Sequence, residues 1–138
     1  MNIRKKVTQK PASSVFILDS DPGTLKSLKQ LFERVGFRVS AFRQPDPLLE
    51  KIDDEKPQCI VAEARLANKD NGQLLADAHH KRPGLPIILL AWRSDISAAV
   101  RALKSGATDY LEKPVVDRLL IESVERAITE FDRSKSYL

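Results

Sequence analysis

The chain has 138 residues, of which 42% are hydrophobic and 30% charged, the balance of one folded domain and not of a disordered tail. No apolar run reaches the roughly 18 residues a membrane helix needs, and MNIRKKVTQK at the start has bases without the apolar core of a secretory signal. The net charge of +4 equals the contribution of Arg4, Lys5, Lys6 and Lys10, so the rest of the chain is neutral. A nucleic-acid or membrane-surface arm would carry more charges or interleaved aromatics than this segment has. Residues 1–13 are therefore read as a basic, solvated N-terminal tail, 14–132 as the folded domain, and 133–138 as a C-terminal tail or the start of a linker.

Val15-Phe16-Ile17-Leu18 is a continuous apolar run of strand length, as suits a strand covered on both faces. Asp21-Pro22 reads as an N-cap followed by proline in the first turn. The helix after it points Leu25, Leu28, Phe32 and Val35 inward and stops at Gly36. A partly exposed strand over 37–42 and a short helix over 45–52, with Leu48, Leu49 and Ile52 inward, come next.

Cys59 to Ala62 is a third buried strand, ending at Glu63, and the lone Cys59 reads as a buried thiol. A polar stretch over 67–72 precedes a helix over 73–81 built on Leu74, Leu75 and Ala78. His79 and His80 are read as its solvated face. Pro86 to Ala91 is the most apolar segment and is placed centrally. Asp95 is assigned as N-cap of a helix with Ile96, Ala99, Val100 and Leu103 inward, stopped by Gly106. Residues 109–112 make a fifth strand, and 116 to about 131 a closing helix on Leu120, Val124 and Ile128.

Strands alternating with helices predict an α/β fold, a doubly wound five-stranded parallel sheet. Such sheets work beyond the carboxyl ends of their strands. Asp19, Glu63, Ala91 and Lys113 all stand at those ends, so two acids and a lysine are brought together by topology.

Several segments then resemble one family. Val-Phe-Ile-Leu-Asp-Ser-Asp-Pro at 15–22, Cys-Ile-Val-Ala-Glu-Ala-Arg-Leu at 59–66, and Gly-Ala-Thr-Asp-Tyr-Leu-Glu-Lys-Pro at 106–114 are similar, in order and spacing, to the receiver domains of two-component response regulators. The likeness is strongest to FixJ/NarL-type regulators, whose receivers are joined to helix-turn-helix output domains. It implies a flavodoxin-like (βα)5 fold with strand order 2-1-3-4-5, and a place in phosphorelay signalling.

In that family an acidic pair and an acceptor aspartate hold Mg²⁺, and the acceptor carboxylate attacks a phosphoryl donor. A lysine neutralises the transferred group, and a hydroxyl at the end of the fourth strand bonds to it. Carried over by position, Asp19 matches the first acid but Ser20 the second. Glu63 replaces the acceptor aspartate, Ala91 replaces the hydroxyl residue, Lys113 matches the lysine, Tyr110 the switch aromatic, and Pro114 the proline after the lysine.

Ser20, Glu63 and Ala91 together imply an atypical receiver, not an enzyme, that signals by protein contacts without normal aspartyl phosphorylation. Glu63 is expected to pair with Lys113. The alternatives are a phospho-acceptor using Glu63 with Mg²⁺, or the regulatory domain of a helix-turn-helix transcriptional regulator. No cofactor is expected under the main reading; any Mg²⁺ would lie at Asp19 and Glu63. The partner implied is a protein: a sensor kinase, an output domain, or a second copy docking on the helix from Ile96, the fifth strand and the closing helix. Neither nucleic acid nor membrane is expected to contact this domain, and the cytoplasm is the expected compartment.

Overall fold

The computed structural model describes residues 12–135. The basic segment 1–10, and the last three residues, lie outside the described residues. The elements are β1 (Ser14–Leu18), α1 (Pro22–Arg34), β2 (Arg38–Phe42), α2 (Pro45–Glu55), β3 (Cys59–Glu63), α3 (Ala64–Ala67), α4 (Lys69–Lys81), β4 (Ile87–Ala91), α5 (Ile96–Lys104), β5 (Asp109–Glu112) and α6 (Asp117–Lys135). All strand pairs are parallel, in the order β2-β1-β3-β4-β5. This is the flavodoxin-like topology that the family resemblance implied.

Side chains alternate across the three central strands and divide the interior into two cores. Phe16, Leu18, Ile60, Ala62, Ile87 and Leu89 pack toward α2, α4 and α5, against Leu48, Ile52, Leu75 and Ala99. Val15, Ile17, Val61, Ile88 and Leu90 face α1 and α6, against Leu25, Phe32, Leu120 and Val124. Every residue of β1, β3 and β4 is buried. Each large apolar side chain so placed contributes about 1.5–3 kcal/mol. The edge strands β2 and β5 stay partly exposed, as their mixed composition requires.

Helix ends differ from expectation in instructive ways. Asp21 caps α1, accepting the Thr24 N–H at 2.8 Å, as read. Val35 is the C-cap of α1 and 49% exposed, because the chain leaves the helix there to reach Gly36 at φ +102°; Leu31 is buried in its place. Asp95 makes no capping bond, since a 3₁₀ turn over Arg93–Asp95 precedes α5 and turns its carboxylate toward Arg65, 3.6 Å away. The inner face of α5 is Ala98, Ala99 and Ala102, with Val100 exposed. Small residues let that helix approach α3, an element the sequence did not reveal.

The polar stretch at the start of α4 is a tight bend. Asp70, Asn71 and Gly72 are all left-handed, at φ of 52°, 59° and 80°, so the regular helix begins at about Gln73, as read. His79 is half-buried and donates its Nε2–H to the Leu85 carbonyl at 2.9 Å. It therefore holds the turn into β4 and is not a solvated residue. The closing helix runs to Lys135, a turn beyond expectation. Among the described residues no helix is long and apolar enough to cross a membrane.

Candidate functional site

The carboxyl ends of β1, β3, β4 and β5 converge on one pocket. Asp19, Glu63, Ala91 and Lys113 are 1%, 7%, 2% and 8% exposed. Buried charges persist only when paired and hydrogen-bonded, and these are. Lys113 Nζ lies 2.9 Å from Asp19 Oδ2, and the Asp21 N–H donates to Asp19 Oδ1 at 2.9 Å. Asp19 thus has a donor on each oxygen, which fixes its carboxylate plane.

Glu63 is held by a different group. Its Oε1 accepts the Ser20 backbone N–H at 2.9 Å and the Ser20 hydroxyl at 2.8 Å. The expected Glu63–Lys113 ion pair is not formed: no approach within 4.0 Å joins them. The longer side chain is bonded to the β1–α1 loop at Ser20 instead, and Lys113 is bonded to Asp19. Among the described residues no hydrogen bond reaches Glu63 Oε2.

The walls are set by the loops. Arg43, just after β2, donates from Nε and Nη2 to the Ser20 carbonyl at 3.3 and 3.2 Å. The Lys113 N–H donates to the Ala91 carbonyl at 2.8 Å, and the Lys113–Pro114 peptide is cis. Trp92 lies over the lysine, with Nζ 5.5 Å from the ring centroid, within the reach of a cation–π contact. Tyr110 is half-buried and packs on the core that includes Ala91. Arg65–Asp95 and Arg93–Glu112, each at 3.6 Å, tie the outer loops together; Arg43 is the wall residue to which the sequence reading gave no site role. A base follows each of β2 to β5 within two residues, and that spacing was the available signal for Arg43.

Hard oxygen donors are present for a cation: the Asp19 and Glu63 carboxylates and the Ser20 hydroxyl. No cluster of three His, Cys, Asp or Glu side chains occurs among the described residues. Mg²⁺ is commonly bound through one or two carboxylates together with substrate phosphates and water. Asp19 and Glu63 are the residues that would hold such an ion.

Residues 15–125 match the family model described as response regulator receiver domain. The chain is 31% identical over 122 residues to the DNA-binding transcriptional regulator NtrC of Proteus hauseri, covering 88% of this chain and 26% of that protein. It is 30% identical over 116 residues to the transcriptional regulatory protein FixJ of Bradyrhizobium diazoefficiens, covering 84% of this chain and 57% of that one. Full-length FixJ from B. japonicum superposes with a TM-score of 0.81 at 28% identity, over 92% of this chain and 63% of that one. A CheY-like receiver domain from Methanospirillum hungatei gives 0.80 at 28%, covering 90% and 99%. The chain spans between about a quarter and just over half of the curated relatives it matches.

These matches correct one expectation. The matched range, 15–125, takes in every strand that carries the pocket, and the pocket is assembled, buried and bonded. That overturns the reading of a receiver that works without phosphorylation and favours its alternative. Ser20, Glu63 and Ala91 read together in the sequence as three losses from a single mechanism. In the fold, two of the three are bonded to each other.

Proposed function

Because the chain belongs to the response regulator receiver domain family, we propose that it is a phospho-accepting signalling module in which Glu63 takes the phosphoryl group. The observation that carries this reading is the buried Asp19–Lys113 pair beside a carboxylate with one oxygen free of protein hydrogen bonds. Glu63 Oε2 attacks the phosphorus of a phosphoryl donor. A new P–O bond forms, the bond from phosphorus to the donor's leaving group breaks, and that group departs with the electron pair. Phosphoryl transfer needs position and charge neutralisation more than covalent help. Lys113 supplies a fixed positive charge, and the Ser20 donors hold the nucleophile. Asp19 and Glu63 would hold Mg²⁺, which supplies further neutralisation of the phosphoryl oxygens when bound.

The names of the relatives support a role as the regulatory part of a transcriptional regulator, with DNA contact belonging to another part of such a protein. The partner-docking face we propose is α5, β5 and α6, which exposes Val100, Val116 and Leu119 among Arg101, Lys104, Asp109 and Asp117. A sensor kinase, an output domain or a second copy would contact it, in the cytoplasm.

Incubation with acetyl phosphate and Mg²⁺, followed by intact mass, tests the central point. One phosphoryl group is gained by the native chain and none by Glu63→Gln. Uptake unchanged in Glu63→Gln sinks the proposal.

A further inference from the structure

The acceptor side chain is one methylene longer than an aspartate, and the residue its carboxylate reaches is the one that stands where the family has its second acid. Both donors of Ser20 converge on a single oxygen, the N–H at 2.9 Å and the hydroxyl at 2.8 Å from Glu63 Oε1. Ser20 is itself held: Arg43 grips its carbonyl with two N–H groups, and the next amide, of Asp21, is fastened to Asp19. The donors therefore sit on a braced loop.

We infer that Ser20 is a positioning residue for Glu63, and that positions 20 and 63 form a matched pair. Two donors on Oε1 fix the carboxylate plane and leave Oε2 as the oxygen that reacts. An aspartate at 63 would withdraw its oxygens by about one C–C bond, roughly 1.5 Å, and break both bonds. An acid at 20 would replace the hydroxyl donor with a second anion beside Oε1, which repels it. Glutamate thus suits serine, and aspartate suits an acid; the mixed combinations suit neither. This rests on the phospho-acceptor reading for its kinetic part only.

The test uses the whole chain in two measurements. In the first, phosphorylation by acetyl phosphate with Mg²⁺ is followed by intact mass. Ser20→Ala slows it about tenfold or more, the scale of one hydrogen bond to a charged group. Ser20→Thr, which keeps the hydroxyl, restores it. Glu63→Asp and Ser20→Asp are each impaired, and the double variant recovers rate relative to either.

In the second, amide hydrogen exchange is read by NMR. The Ser20 amide exchanges at least tenfold faster in Glu63→Ala, while the Asp19 amide, bonded to the Phe42 carbonyl at 3.1 Å, keeps its protection and reports an intact fold. A native chain that takes no phosphoryl group while this exchange response is seen would refute the phospho-acceptor reading and leave the pairing standing. An unprotected Ser20 amide, or a Ser20→Ala rate equal to the native one, overturns the pairing.

Discussion

Lys113 is bonded to Asp19 and not to Glu63: its Nζ stands 2.9 Å from Asp19 Oδ2, across 94 residues of sequence. The two side chains are 8% and 2% exposed, so neither charge has water to fall back on. Removing one partner of such a pair costs on the order of 3–5 kcal/mol, because the other is stranded. Lys113→Met is therefore expected to lose stability of that order in urea unfolding. Asp19→Asn combined with Lys113→Met is expected to recover much of it. A single variant as stable as the native chain would show that the pair is not closed in solution.

The sheet was legible because its signals are local. Uninterrupted apolar runs at 15–18, 59–62 and 86–91 mark buried parallel strands, and topology alone then collects Asp19, Glu63 and Lys113. Choice of partner was not legible. Charge arithmetic pairs Glu63 with Lys113, and only the reach of the longer side chain across to Ser20 decides otherwise. Val35 and Val100 were misplaced for a related reason. Helical spacing gives the inner face of an isolated helix, whereas a C-cap or an alanine-lined close approach shifts that face in the folded chain.

Ala91 is a position where a hydroxyl can be added. It is 2% exposed at the end of β4, where the family's hydroxyl would meet the phosphoryl group. Ala91→Ser buries a polar group beside Tyr110 and the core. A buried hydroxyl without a partner costs about 1–3 kcal/mol, so the resting variant should melt lower. Once Glu63 carries a phosphoryl group the hydroxyl gains an acceptor. The phosphorylated fraction at steady state, read by intact mass, should then exceed the native one; a lower fraction would show that the hydroxyl does not reach the group.

The cap of α1 gives the acid limb of stability a defined sign. Bonds from the Thr24 hydroxyl and N–H hold the Asp21 carboxyl below its ordinary 3.8. A carboxyl depressed by folding stabilises the fold fully above its unfolded value, and that stability is lost as pH falls through the folded one. Asp21→Asn keeps a capping oxygen but has no charge to titrate. Thermal melts taken from about pH 5 down to about pH 3 should fall less steeply for the variant than for the native chain. Parallel curves would show that the cap does not contribute to acid sensitivity.

Trp92 offers a direct view of where Lys113 goes. It is the single tryptophan of the chain, half-exposed, with the lysine ammonium 5.5 Å from its ring centroid. A phosphoryl group on Glu63 offers Lys113 new anionic oxygens and draws it from Asp19, which changes the charge above the indole. Acetyl phosphate with Mg²⁺ should therefore alter the Trp92 emission at the rate at which intact mass records uptake. Lys113→Met should remove that response. Mg²⁺ alone, if it takes up Asp19, should displace the lysine as well and give a saturable change before any phosphoryl donor is added. Uptake by mass with no change in emission would mean that Lys113 stays on Asp19 throughout, and the charge neutralisation assigned to it would have to come from elsewhere in the pocket.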